Sequence, residues 1–370
     1  MSGPGPSNSD EISGGGEGYW QLVWVQLKKN RAGMAGLLMA LFLFSLAATA
    51  PLLANDRPIV ARYHGNMSFP AFQTYVDVWV PWRSMRYGLK SLKVAGTFPM
   101  SEHYPELEGR TWKEVRDTPE MGFSLWPPVQ WHPNQFDKNS LKQEPNDEHL
   151  LGTDDLGRDV LSRLIHGTVV AMLVGIIAMS ISSAIGLTLG VIAGFFGGWV
   201  DIALSRATEV VMCFPSFFLI IAVIAFLEPS IVNIMLVLGL IGWTGIFRLI
   251  RGEVLLVRNL DYIAAARSMG MSQTRIMFRH VLPNVVAPVL VAVPFGIAGA
   301  VLAETSLSFL GFGDPSVPSW GEIVYQGRAY VSQGLWHLTL YPGIAIFVTL
   351  TAFNLFGQGL RDAMDPKLRH

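Results

Sequence analysis

Six stretches of this 370-residue chain contain no Asp, Glu, Lys or Arg: Ala32 to Asn55, Leu164 to Val200, Val210 to Leu227, Pro229 to Phe247, His280 to Ala303 and Ala329 to Leu360. A helix needs ~20 apolar residues to cross the hydrocarbon core of a bilayer. Each run therefore reads as a spanning helix, and the chain as an all-α integral membrane protein with six transmembrane helices. Composition agrees: 51% of residues are hydrophobic and only 15% charged. A formal net charge of −1 argues against a nucleic-acid partner. The third and fourth runs are the shortest. Only the turn at Glu228-Pro229 separates them, which predicts a tight hairpin.

Basic residues set the orientation. With the N-terminus in the cytoplasm, the inner segments hold Lys28, Lys29, Arg31, Arg206, Arg248, Arg251, Arg258, Arg267, Arg275, Arg279, Arg361, Lys367 and Arg369. The short outer segments hold Arg328 alone. Both termini are thus expected inside, in a plasma membrane. The expected organisation is a cytoplasmic tail and interfacial segment over 1–31, a first span over 32–54, and an extracytoplasmic lobe over 55–167. A core with five spans follows over 168–357, then a cytoplasmic tail over 358–370.

Residues 1–18 are rich in Gly, Ser and Pro and are expected to be disordered. Tyr19 to Arg31 combines Trp20 and Trp24 with Lys28, Lys29 and Arg31, as a membrane-surface helix would. The first span has the basic flank and the Ala48-Thr49-Ala50 pattern of a cleaved signal. Its apolar run continues through Leu52 and Leu53, and Pro51 would follow the cut, so an uncleaved anchor is expected.

The lobe is aromatic and Pro-rich, and an irregular fold is expected. His64, His103, His132 and His149 are scattered and read as surface or structural. No metal spacing is seen, and the single cysteine, Cys213, reads as a buried, inert thiol. At the end of the lobe, Asp154 or Asp155 is placed to cap a short amphipathic helix through Leu164. The glycines at 175, 186, 190, 194, 197 and 198 suit close helix packing in lipid. Pro215, Pro288, Pro294 and Pro342 are candidate helix breaks.

One polar, basic stretch lies between apolar runs: Asn259 to Pro288. Asp261 is a reasonable N-cap for a helix over Tyr262 to Met269. Gly270 stops it. Ser272 caps a second helix to about His280, and Pro283 opens a new one. Ala264, Ala265 and Ala266 offer a face almost without side chains, ringed by Arg267, Arg275 and Arg279. Such a face admits another protein's backbone. An ordinary cytoplasmic loop would also satisfy the composition.

The spacing narrows this. Ala265-Ala266, Gly270 and Leu282-Pro283 resemble the cytoplasmic signature of binding-protein-dependent ABC importer permeases, with Ala264 in place of its Glu and His280 in place of its Ile. Asp261-Tyr262 and Arg279 to Asn284 resemble the oligopeptide and dipeptide branch. Leu151 to Asp154 with Gly157 to Arg163, and Glu304 to Gly313 with Pro318 to Gly321, are similar to that branch as well. The opening of the lobe, from Leu52, resembles the Yej-type permeases, which take peptides and microcin C. The resemblance implies that Asp261, Tyr262, Ala264, Ala265, Ala266, Arg267, Gly270, Arg275, Arg279, His280, Leu282 and Pro283 contact an ATPase. It further implies two ABC ATPase subunits carrying ATP and Mg, a second permease subunit in a heterodimer, an extracytoplasmic peptide-binding protein, and surrounding membrane lipid. No cofactor, catalytic residue or metal is expected in this chain, and no substrate residue carries over.

Two other function classes compete with this reading. An ion-coupled secondary transporter would want ionisable groups near the midplane or inverted repeats. The six runs lack acids, with Glu209 and Glu304 at their edges. A membrane-anchored enzyme would need its chemistry in the lobe, where no constellation stands out. A phosphate-binding Gly-x-x-x-x-Gly-Lys-Ser/Thr loop does not occur anywhere in the sequence.

Overall fold

The computed structural model describes residues 19–63, 66–72, 112–116, 118–119 and 121–365. The expected disorder of 1–18, the middle of the lobe with His64 and His103, and Lys367 and Arg369 lie outside the described residues. In chain order the elements are α1 (Tyr19–Lys29), α2 (Arg31–Leu53), β1 (Val60–Tyr63), β2 (Asn66–Ser68), α3 (Trp112–Arg116) and β3 (Met121–Leu125). The bundle continues with α4 (Val160–Phe196), α5 (Gly198–Met212), α6 (Ser216–Ala225) and α7 (Ile231–Val257). Then come α8 (Asp261–Ser268), α9 (Gln273–Ile276), a π-helical turn (Met277–Val281), α10 (Leu282–Phe309), α11 (Trp320–Gly327) and α12 (His337–Met364).

Among the described residues, five helical stretches are long and apolar enough to cross a membrane: α2, α4, α7, Gln273–Phe309 and α12. The third expected span is not one straight helix. α5 and α6 meet at a 77° bend, and together they make the sixth candidate. Pro215 sits at that bend as the residue before α6. Its ring and missing N–H break the helix there. Cys213, expected to be buried, is exposed at the same bend. The tight hairpin into the fourth span holds only between α6 and α7, with Ser230 capping α7 through Val232 N.

α4 and α7 form the central seam. Gly186, Gly190 and Gly194 recur every four residues along one stripe of α4. A Cβ on each would lie 2.6, 2.9 and 2.7 Å from the Cβ of Ile246, Ile250 and Val254 in turn. The branched side chains of α7 therefore seat on bare α4 backbone. Gly175 does the same for Ile297 of α10. Gly197 and Gly198 do not share this role: they adopt φ of +65° and +55° in the turn between α4 and α5.

α2 runs antiparallel to α12. Asn30 caps α2 by accepting from Gly33 N at 2.9 Å, and its Nδ2 donates to Asp362 Oδ2 at 2.9 Å. α1 covers this seam with Val23 and Leu27 buried against Ala363, while Trp20 and Trp24 face outward. That is the amphipathic division expected for this stretch.

At the other end of the bundle sits the described part of the lobe. It contains an antiparallel sheet of order β2-β1-β3. The stretch before α4 is ordered by buried charge. Asp154 accepts from Arg158 Nε at 2.7 Å and Arg163 Nη1 at 2.9 Å. The cap is Asp159, not Asp154 or Asp155: its carboxylate accepts from Ser162 N at 2.6 Å. No separate short helix ends at Leu164. The helix starts at Val160 and runs unbroken to Phe196, eight residues ahead of the expected core boundary. α11 locks onto this region, with Trp320 Nε1 donating to Leu164 O at 3.1 Å and Arg158 Nη2 to Gln326 Oε1 at 2.6 Å. Glu304 lies within α10 and is buried, accepting from Ser308 Oγ at 2.7 Å.

Candidate functional site

The polar stretch from Asn259 to Pro283 stands at the end of the bundle where α4 finishes and α10 begins. α8 starts at Asp261 itself. Its cap is Leu260, in extended conformation and with no side-chain hydrogen bond. Asp261 is instead the first helical residue, where a carboxylate favours the helix dipole. The C-terminal end follows the expected design. Gly270 has φ of +77°, Gly270 N donates to Arg267 O at 2.9 Å, and Met271 N to Ala266 O at 3.2 Å. This pair of bonds is the Schellman motif, which wants Gly at that place.

Ser272 caps α9 by accepting from Arg275 N. The second helix does not stop near His280. It passes through the π turn into α10, and Pro283 falls in the first turn of α10, where a missing N–H is tolerated. Leu282 N donates to Met277 O across that turn, five residues back. The extra residue lets the chain absorb Pro283 without a break.

Consecutive helix residues point in different directions, so the three alanines do not form one face. Ala264 and Ala265 are exposed, whereas Ala266 is buried with Ile263. Ile263, Ala266, Ile276, Met277, Val281 and Val285 join the main core together with Phe195 of α4 and Val254 of α7. Leu282 packs at its edge. The segment is thereby fixed to three spanning helices. Outward it presents Asp261, Tyr262, Arg267, Met269, Gly270, Arg275, Arg279 and Pro283, all exposed. Met269 is 74% exposed. Arg267 is held over the Phe195 ring at 5.8 Å. His280 is half-buried, its Nε2 shielded without a hydrogen-bond partner.

Sequence reasoning missed several supports of this surface. Asn284 Nδ2 donates to Tyr262 Oη at 3.2 Å and to His280 O at 2.6 Å. Arg258 Nη1 donates to Gly194 O at 2.8 Å. Arg251 pairs with Asp201 of α5, Nη2 to Oδ2 being 2.8 Å. Asn284, directly after Leu282-Pro283, was the one available signal. The surface can offer a partner a low, partly apolar ridge with cations around it. Among the described residues no group of His, Cys, Asp and Glu is arranged to hold a metal.

Residues 186–370, which include this segment and all later spans, match the family model of the binding-protein-dependent transport system inner membrane component. The chain belongs to that family. Residues 18–69 of this permease match the N-terminal transmembrane domain of oligopeptide transport permease C. It is 32% identical to the inner membrane ABC transporter permease protein YejE of Escherichia coli, over 94% of this chain and 96% of that one. It is 30% identical to the peptidoglycan transport system permease protein YejE of Agrobacterium fabrum, over 93% and 92%. A glutathione transport system permease protein, GsiD of Pectobacterium atrosepticum, is 39% identical over 64% of this chain and 78% of its own length. The permease is therefore a multi-pass inner-membrane subunit of the Yej type within the oligopeptide and dipeptide branch. It is a transport subunit rather than an enzyme. The family works with an ATPase and a substrate-binding protein.

Proposed function

We propose that this permease forms half of a translocation pathway for peptides or peptide-like compounds, and that α8 with Gly270 to Pro283 is its coupling element to an ATPase. In this reading a second, different permease subunit completes the pathway. Two ATPase subunits bind ATP and Mg, and a peptide-binding protein docks on the opposite side. Both termini lie in the cytoplasm with the coupling element, and the 55–167 lobe lies outside. Closure of the ATPase pair on ATP moves the coupling element, and the spans swing between inward-facing and outward-facing states.

One observation carries the reading. Tyr262, Ala264, Ala265 and Met269 form an exposed ridge on a helix whose other face is buried in the core. A surface both open to a partner and rigidly joined to α4, α7 and α10 can pass a push to the spans. The oligopeptide permease C match over residues 18–69 and the likeness to the glutathione permease GsiD support the peptide class.

The test is purification from native membranes in mild detergent, with a cysteine at Ala265 for cross-linking. A second permease, a P-loop ATPase cross-linked through residue 265, and ATP-dependent peptide uptake are expected. A well-folded permease that yields no ATPase, or one that cross-links only from the lobe, would overturn the reading.

A further inference from the structure

The lobe holds a cleft of about 290 Å³ between α3 and the stretch that precedes α4. Trp131 lines it. The Lys113 Nζ sits 3.6 Å from the centre of that ring. Trp131 is fixed by three contacts. Trp131 Nε1 donates to Glu148 O at 3.3 Å, Ser162 Oγ donates to Trp131 O at 2.7 Å, and the ring lies 4.5 Å from that of His149. His149 is in turn held by Asp159 at 2.9 Å and is fully buried.

Charge in the cleft is unbalanced. Among the described residues, Asp147, Glu148 and Asp159 line it against one cation, Lys113. A tryptophan face in a cleft lined by carboxylates is a seat for a positive charge. Lys113 fills that seat from a five-residue helix, on a stem that rotates at little cost. Burial pushes the Lys113 ammonium down from its usual range despite the attraction of Asp56, Glu148, Asp137 and Asp159. The resident cation is thus held at a desolvation cost, which it recovers on swinging out to solvent.

We propose that this cleft is a binding site for an organic primary ammonium group, the amino terminus of a short peptide, and that Lys113 is a placeholder which the ligand displaces. Leu150 and Leu161 give the first side chain an apolar wall. The volume is at the small end of ligand pockets, which fits one or two residues and not a long chain. The choice of a peptide as the amine rests on the function proposed above; the cation seat does not.

The test uses the full-length permease in lipid nanodiscs, with alanyl-leucine and N-acetyl-alanyl-leucine as probes and binding read by thermophoresis. The free dipeptide is expected to bind Lys113→Ala about tenfold tighter than the unaltered protein, as suits one released cation–aromatic contact. N-acetylation should abolish binding. Trp131→Leu added to Lys113→Ala should abolish it too. Glu148→Gln, an exposed change that leaves the fold alone, should weaken it several-fold. No binding by Lys113→Ala in folded protein, or equal binding of the acetylated probe, would overturn the site and leave Lys113 a structural staple. Peptide uptake by the assembled transporter is measured separately. Uptake without binding to the cleft sinks the site alone, and binding without uptake sinks the transport reading alone.

Discussion

Asn284 of α10 reaches Tyr262 of α8 by a single side-chain hydrogen bond of 3.2 Å, which joins the exposed ridge to the fifth span. The same amide holds the His280 carbonyl. Removing one exposed hydrogen bond costs only ~1 kcal/mol. Asn284→Ala and Tyr262→Phe should therefore leave folding intact. Transport per ATP hydrolysed should fall several-fold in reconstituted vesicles, while ATPase binding persists.

Gly190 tests the central seam. Its missing Cβ leaves room for Ile250 at 2.9 Å, with backbone of α7 at 3.0 Å behind it. Gly190→Val should cost ~1–3 kcal/mol by overpacking, since neither neighbour can move away. The expected readout is a lower midpoint in thermal aggregation followed by size-exclusion chromatography.

Gly270 has no atom within 4 Å of the position where a Cβ would lie, so space is not its constraint. Its φ of +77° is. Gly270→Ala should cost ~1 kcal/mol and loosen the end of α8. Weaker co-purification of the ATPase, with normal amounts of permease in the membrane, is the expected result.

Asp154 accepts from two buried arginines. Asp154→Asn would leave Arg158 and Arg163 without their counter-charge. Loss of one partner from a buried pair costs ~3–5 kcal/mol. The variant should be depleted from membranes, whereas Asp155→Asn should accumulate normally.

Burial raises the Asp159 and Glu322 carboxyls above their ordinary values of 3.8 and 4.5. The folded state then binds more protons than the unfolded one. Stability contributed by these groups is present below the unfolded values and falls as pH rises through the window above them. The permease should melt at a higher temperature near pH 5 than near pH 7.5. Glu322→Gln, which keeps an acceptor for Gln326 Nε2, should flatten part of that slope.

The spans were legible because hydrocarbon excludes charge, and charge-free windows marked them. That rule clips a helix wherever a charge is compensated. α7 runs ten residues past Phe247 because Arg251 pairs with Asp201 and Arg258 bonds to Gly194 O. Neither partner is near in sequence. The bend at Pro215 was one of four possible breaks. Pro288, Pro294 and Pro342 stay inside helices. Neighbouring helices decide which proline breaks the chain, and one sequence does not state its neighbours.

Caps were misread for a related reason. Asp154 and Asp261 have the right chemistry, but Asp154 is claimed by two arginines and Leu260 already provides the extended turn before α8. The glycines at 186, 190 and 194 were read correctly as packing positions, since their spacing is that of a helix stripe. The Gly270 stop was also legible, because a positive φ admits few residues. The Lys113 and Trp131 contact was not, since seventeen residues, a strand among them, separate the two.

The π turn at Met277–Val281 holds one residue more than an α-helical turn would. Each residue of an α-helix advances ~100° and ~1.5 Å. If that surplus residue were spliced out, everything before it would be screwed round by about a quarter of a revolution relative to α10. The ridge of Tyr262, Ala265 and Met269 would then lose its present heading while keeping its shape. The aim of this surface is thus stored in a single residue of slack, upstream of the proline that makes the slack necessary.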